Sequence, residues 1–388
     1  MSGDIEAFAG HAPSGRQIIS VLAARRYLIR ENGRCVPDEP AALQKELVYY
    51  PQSPQTGAVR PSLLQRDVDI YPWRDRTDVI VQGTLQHDRP IQTTLLGIEL
   101  SDGHGGLREE LRVTGDRWVE RRADGSLRLC APQPFTEMPL RYDKAYGGTD
   151  VAALAQGEDP DVDALLREVC DEDEYRELSD YSYPRNPAGK GYALALDHVD
   201  GLDWPNLEFP DAQLTLEALC ARSLDWGQRP SPACFDWLPH AWFPRVAYFG
   251  DFPQTGDGKI PQAERALGLF DDDVTARPLT ERADLRFAQG SHPRLRRRRF
   301  GAGLQLRVAN ARGAGHAFTA RLPDRPPTLA GAIFKVQDCA VPPVLDLCFL
   351  ELDPARVTLL WRFTFEPDAP ALPVDWKERC RYQINWPD

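Results

Sequence analysis

Val357, Leu359, Trp361, Phe363 and Phe365 occupy every second position of one run, and this spacing constrains the chain more than any other feature. A period of two places large apolar side chains on one side of an extended backbone, whereas a helix would scatter them around its circumference. The period recurs at Val79, Val81 and Leu85, at Leu96, Ile98 and Leu100, and at Leu111 and Val113. It returns at Leu304, Leu306 and Val308 and at Phe318, Ala320 and Leu322, with ANARGAG turning the chain between those two runs. Ile18 to Arg30 is rich in β-branched and aromatic residues and runs into Asn32-Gly33, a hairpin signal. Residues 77–85 are expected to pair with residues 93–100 through the turn SDGHGG, in sheets with one apolar face and one wet face. The fold class expected is mainly β: two packed antiparallel β-rich units with short helices and long loops.

The units are expected at 15–150 and 235–366, where the second takes in an aromatic seam. An extension at 1–14 precedes them, a tail at 367–388 follows, and 151–234 holds an acidic insertion, a glycine-rich loop and a short helical connection. From Glu158 to Asp180, eleven of twenty-three residues are acidic, which points to a solvated insertion or a charged docking strip. Residues 212–226 are expected to form a short helix that the prolines at 230 and 232 stop. Trp237, Trp242, Phe243, Tyr248, Phe249 and Phe252 crowd into sixteen positions, closing a core or seam or presenting a contact surface.

A chain of 388 residues is long enough for a sizeable core, and its formal charge of -12 disfavours a nucleic-acid-binding body. Eight cysteines without regular spacing resemble isolated small hydrophobes, so a reducing, cytoplasmic compartment is expected. No run approaches 18 apolar residues and the N-terminus has no secretory pattern, so membrane insertion is not expected.

The loops hold the candidate sites. PQPFTEMPLRYDKAYGGTD at 132–150 and YPRNPAGKGY at 183–192 are too dense in glycine, proline and aromatics for a helix, and Asp203 to Glu208 adds a further constrained turn. Such loops pin sheets together or present a surface. For contact with a partner, the candidates are Tyr142, Lys144, Tyr146, Lys190 and Tyr192, with Trp204 and Trp242 as supporting rings. SHPRLRRRRF contains the strongest basic cluster, in which Arg296 and Arg298 are candidates for an acidic partner or, alternatively, guards of a sheet edge. No nucleotide-binding glycine pattern, zinc-protease motif, GxSxG or CxxC occurs, and the seven histidines lie far apart, so neither cofactor nor metal is expected. A carboxylate pair of glycosidase type is recognised by a distance and stays open.

Residues 135–142 and 145–150, FTEMPLRY and AYGGTD, resemble the signature of the DUF2169 family. NPAGKGY at 186–192 and PNLE at 205–208 are similar to that family's next motifs, in the same order. Thr77-Asp78-Val79, Gly115-Asp116-Arg117-Trp118, Trp242 with Pro244-Arg245, and Trp361-Arg362 resemble its other elements. The resemblance covers about 15 to 366 and implies a non-enzymatic adaptor or chaperone of bacterial type VI secretion. Its implied partner is an effector, a PAAR-containing tip or the spike, with no specific nucleic acid. The alternative function is an uncharacterised hydrolase or carbohydrate-active enzyme with a carboxylate-lined pocket.

Overall fold

The alternating run at Val357 becomes the strand Arg356–Phe365, near the middle of a seven-stranded sheet. The computed structural model describes residues 5–12, 14–51, 63–103, 105–150, 182–220, 229–249, 285–313, 315–334, 341–367 and 372–387. The first sheet runs in space Ile5–His11, Gln17–Ile29, Arg356–Phe365, Val344–Glu351, Thr77–Gln82, Arg296–Arg297, with Cys35–Pro37 paired to Gln17–Ile29. The second runs Leu207–Glu208, Gly106–Thr114, Thr93–Ser101, Gln305–Ala309, Ala317–Arg321. Pairing in both sheets is antiparallel except between Thr77–Gln82 and Val344–Glu351. The described residues are mainly β, with helix confined to short pieces. Of the helix expected at 212–226, the piece Leu216–Cys220 is helical and residues 221–226 lie outside the described residues. The acidic run at 158–180 and Phe252 lie outside them as well.

Strand neighbours depart from the expected order. SDGHGG joins Thr93–Ser101 to Gly106–Thr114, so the strand at Thr77 has a different partner, Val344–Glu351 in the other sheet. The cause is Gly83, whose φ of 143° interrupts the run between Gln82 and Thr84. There the backbone comes so close that a Cβ would stand 2.9 Å from that of Leu352. Past this point the chain leaves the first sheet, and Thr84–Ile91 pairs with Phe135–Pro139. Both sheets contain strands from 15–150 and from 235–366, so the boundary between those segments is not a boundary between sheets.

The expected wet face is also covered along Arg356–Phe365, which is buried continuously from Val357 to Phe363. Val357, Leu359 and Trp361 join the core between the sheets, with Val79, Ile98, Leu306 and Val308. On the alternate face, Leu360 packs with Leu22, Ile80, Leu347 and Trp237. Toward the end of the strand, Phe363 and Phe365 gather Val21, Ala23 and Trp376. Each large apolar side chain removed from water in this way contributes about 1.5–3 kcal/mol. The covered face also takes one cation, because Arg362 is matched by the Asp346 carboxylate, to which it donates through Nε at 2.8 Å and through Nη2. Its Nη1 donates to the carbonyls of Tyr71 and Pro72, which fastens the covering segment to the strand.

Arg362→Leu leaves Asp346 buried without its partner and is expected to cost about 3–5 kcal/mol in urea unfolding. Replacing Asp346 with leucine as well recovers a large part of that loss, which a double-mutant cycle measures.

Candidate functional site

The glycine-rich motifs meet in one knot. Tyr146–Gly147 pairs in parallel with Lys190–Gly191. Lys190 N donates to Ala145 O at 3.1 Å, Tyr192 N to Gly147 O at 3.1 Å, and Gly148 N to Asn186 O at 2.8 Å. The buried Asn186 amide donates to the carbonyls of Tyr142 at 2.8 Å and Tyr146 at 3.0 Å, satisfying loop backbone that water does not reach. Such close approach needs glycine at 147, where φ is 143° and a Cβ would lie 2.1 Å from Asn186 O. Asn206 ties in the next turn, donating to Thr114 O at 2.9 Å and Asp116 Oδ1 at 3.0 Å. Lys190 Nζ reaches the same carboxylate at 3.3 Å. Burial alone would raise the Asp116 pKa, but Asn206, Lys190 and Lys144 outweigh it and hold the group below its ordinary value.

Most of the candidate contact residues face inward. Tyr142, Tyr146, Tyr192, Trp204 and Trp242 are each 4% exposed or less. Tyr142 meets Trp242 edge-on at 5.6 Å, and Tyr183 lies between Tyr146 at 5.1 Å and Tyr192 at 5.5 Å. Arg229 donates to Tyr146 Oη at 3.0 Å, and Arg117 stands over the Trp204 ring. The partner-contact role expected of these rings is therefore corrected to packing: glycines let the loops close and Asn side chains satisfy their backbone, so the rings fill the space between them. Lys144 and Lys190 are half-buried at the edge of the knot. From the aromatic crowd, Trp237, Trp242, Phe243 and Tyr248 are buried too.

The arginine cluster is divided. The Arg296 side chain is only 7% exposed, and it donates to the carbonyls of Ser291 and Gln289 beside Asp78. Its expected surface role is corrected, since the short strand Arg296–Arg297 pairs with Thr77–Asp78 and carries Arg296 to the buried carboxylate. Arg298 and Arg299 are exposed, and with Arg297 and Asp75 they line a groove of ≈ 580 Å³.

Behind the groove lies a buried ionic network. Arg245 donates to Asp67 Oδ2 at 2.6 Å, to Leu238 O at 2.7 Å and to Phe287 O at 2.9 Å. Arg74 donates to Asp78 Oδ2 at 2.8 Å, and Gly290 N to the same oxygen at 3.0 Å. Arg245, Asp67, Arg74 and Asp78 side chains are all 0% exposed. His240 sits beside this network with its pKa lowered to about 4, by burial first and then by Arg245. Arg245 thus has a structural task, joining three segments far apart in sequence.

Two further groups were not singled out by sequence. Ser231 Oγ lies 3.2 Å from His292 Nε2, but His292 Nδ1 accepts the Arg294 N–H at 3.2 Å. The neutral ring therefore carries its proton on Nε2, facing the serine, and is the wrong tautomer to act as its base. Burial, then Arg296 and Arg294, lower the His292 pKa to about 3. Asp236 is buried and accepts from Tyr50 Oη at 2.9 Å, Gln82 Nε2 at 3.0 Å and Trp237 N at 2.8 Å. Burial raises its pKa to about 7 against the pull of those donors. A carboxylate between Phe235 and Trp237 in an apolar run was the available signal for it.

Gly147→Ala is expected to cost about 3 kcal/mol or more in urea unfolding, whereas Gly103→Ala, with φ 82° and nothing within 4 Å, costs about 1 kcal/mol. Asp236 has its pKa raised in the fold from 3.8 to about 7, so its contribution is fully present below about pH 4 and is lost as pH rises to about 7. Relative to Asp236→Asn, the wild type is expected to lose about 1.4 kcal/mol per pH unit at most across that window. Urea unfolding of both proteins at pH 5 and pH 8 measures the difference.

Among the described residues no helix is long and apolar enough to cross a membrane, and no group of three or more His, Cys, Asp or Glu is placed to hold a metal ion. No curated protein and no solved structure matches the chain. The model of a family described as an uncharacterized protein conserved in bacteria, DUF2169, matches residues 14–362. The chain, matched over most of its length, belongs to the DUF2169 family.

Proposed function

We propose that this chain is a non-enzymatic cytoplasmic adaptor or chaperone that recognises a type VI effector and helps load it onto the secretion spike or its PAAR tip. The observation that carries the reading is the groove of ≈ 580 Å³ that Arg297, Arg298 and Arg299 line together with one carboxylate, Asp75, among the described residues. In a chain of formal charge -12, a local concentration of cations selects an acidic partner surface and steers its approach. Arginine suits this task because its planar donors match carboxylates in pairs. Gly105 supports the arrangement, since a Cβ there would lie 2.1 Å from Arg297 Nη2. A hydrolase of carboxylate type would instead need two carboxylates facing one cavity.

The test is capture of the co-expressed effector or PAAR protein by wild type and by Arg298→Glu/Arg299→Glu, at low and moderate salt. Capture is expected to fall at least about tenfold in the variant and to weaken with salt in the wild type, with an unchanged circular dichroism spectrum. Equal capture by both proteins at every salt concentration rejects the groove as the contact.

A further inference from the structure

The outer strands of the two large sheets are not alike. Arg296–Arg297 and Leu207–Glu208 are two residues long, and Ala317–Arg321 is met by the turn at Gly33, whose carbonyl accepts from Arg321 N at 3.3 Å. Ile5–His11 is seven residues long and, among the described residues, pairs only with Gln17–Ile29. Its hydrogen bonding decides which groups face outward. Ala12 N donates to Arg16 O at 2.9 Å, on the register that sets His11 opposite Gln17. Bonded positions alternate along an antiparallel pair, so Glu6, Phe8 and Gly10 bond to Gln17–Ile29, while Ile5, Ala7, Ala9 and His11 turn their N–H and C=O groups to the open side. The bond from Ile29 N to Ala355 O at 2.9 Å agrees, because it sends the odd-numbered residues of Gln17–Ile29 toward Arg356–Phe365 instead. No described backbone group meets the outward row. The usual guards of an edge are missing as well. The strand has no proline, its register is unbroken, Ala9 and His11 are exposed, and its one carboxylate, Glu6, is engaged by Lys45 at 3.0 Å and Lys377 at 3.2 Å.

An open row of backbone donors and acceptors selects another extended backbone. We propose that its occupant is a second copy of this chain, joined antiparallel through the two Ile5–His11 strands about a two-fold axis at Phe8. That register sets Ala7 opposite Ala9 and Ile5 opposite His11, so each outward N–H and C=O of one copy meets its counterpart in the other. The side chains agree with it. Phe8 stands opposite Phe8, a favourable cross-strand aromatic pair, and Glu6 with its lysines stands opposite Gly10, which has no side chain to meet them. Centring the pair on Glu6 would instead oppose two carboxylates. Arg296–Arg297 lies at the far end of the same sheet, so both copies keep their arginine groove free. The pairing stands independently of the adaptor role.

Sedimentation velocity of the full chain, read together with hydrogen–deuterium exchange, tests the proposal. The wild type is expected to pass from monomer to a species of twice the mass as its concentration rises from micromolar to submillimolar. Over the same range, exchange of the Ile5, Ala7, Ala9 and His11 amides is expected to slow. Ala9→Pro deletes one outward N–H and leaves the bonds to Gln17–Ile29 in place, so it is expected to keep the wild-type circular dichroism spectrum and to stay monomeric throughout. A wild type that remains monomeric overturns the proposal, and so does a dimer that forms equally in Ala9→Pro. Protection of those four amides that is the same at every concentration also overturns it, because another segment of the same chain then covers the edge.

Discussion

The pairing of Gln17–Ile29 with Arg356–Phe365 is the interaction on which the rest of the structure depends. Its register runs without a break from Ile19 opposite Phe365 to Leu28 opposite Arg356, joining segments near the two ends of the described chain. Closing so long a loop costs only slightly more than closing a moderate one, because the entropy grows with the logarithm of length. What offsets the cost of ordering is burial on both faces. One side of the pair contributes to the core between the sheets and to the cluster around Phe363 and Phe365, and the other supports a third cluster around Leu22 and Leu360.

Covering a sheet on both faces leaves the covering segments with polar groups to satisfy. Arg362 with Asp346, Arg74 with Asp78 and Arg245 with Asp67 meet that need as buried pairs. Such pairs add little net stability, since desolvation consumes most of the attraction, but each demands a particular partner in a particular place. Arg245 therefore specifies how residues 67, 238 and 287 come together.

The same logic separates the knot from the surface. Rings and glycines in one loop are compatible with a contact surface or with a packed interior, and local sequence does not distinguish them. Here Asn186 and Asn206 satisfy the loop backbone from within, so the rings have no need to face water. The arginine run divides because strand pairing brings Arg296 to buried Asp78, while the chain beyond the two-residue strand leaves Arg298 and Arg299 exposed.

Much of the local structure was legible in the sequence. The period of two marked Gln305–Ala309, Ala317–Arg321 and Arg356–Phe365 as strands, and Asn32-Gly33 marked the hairpin into Cys35–Pro37, where Gly33 takes a φ of 77°. These features are local, because alternation and turn chemistry act between residues a few positions apart. Strand neighbours, the second buried face of Arg356–Phe365 and the meeting of Ser231 and His292 were decided by tertiary structure alone. Backbone donors and acceptors are the same at every non-proline residue, so a strand does not encode its partner; only the simultaneous burial of many distant side chains selects one arrangement.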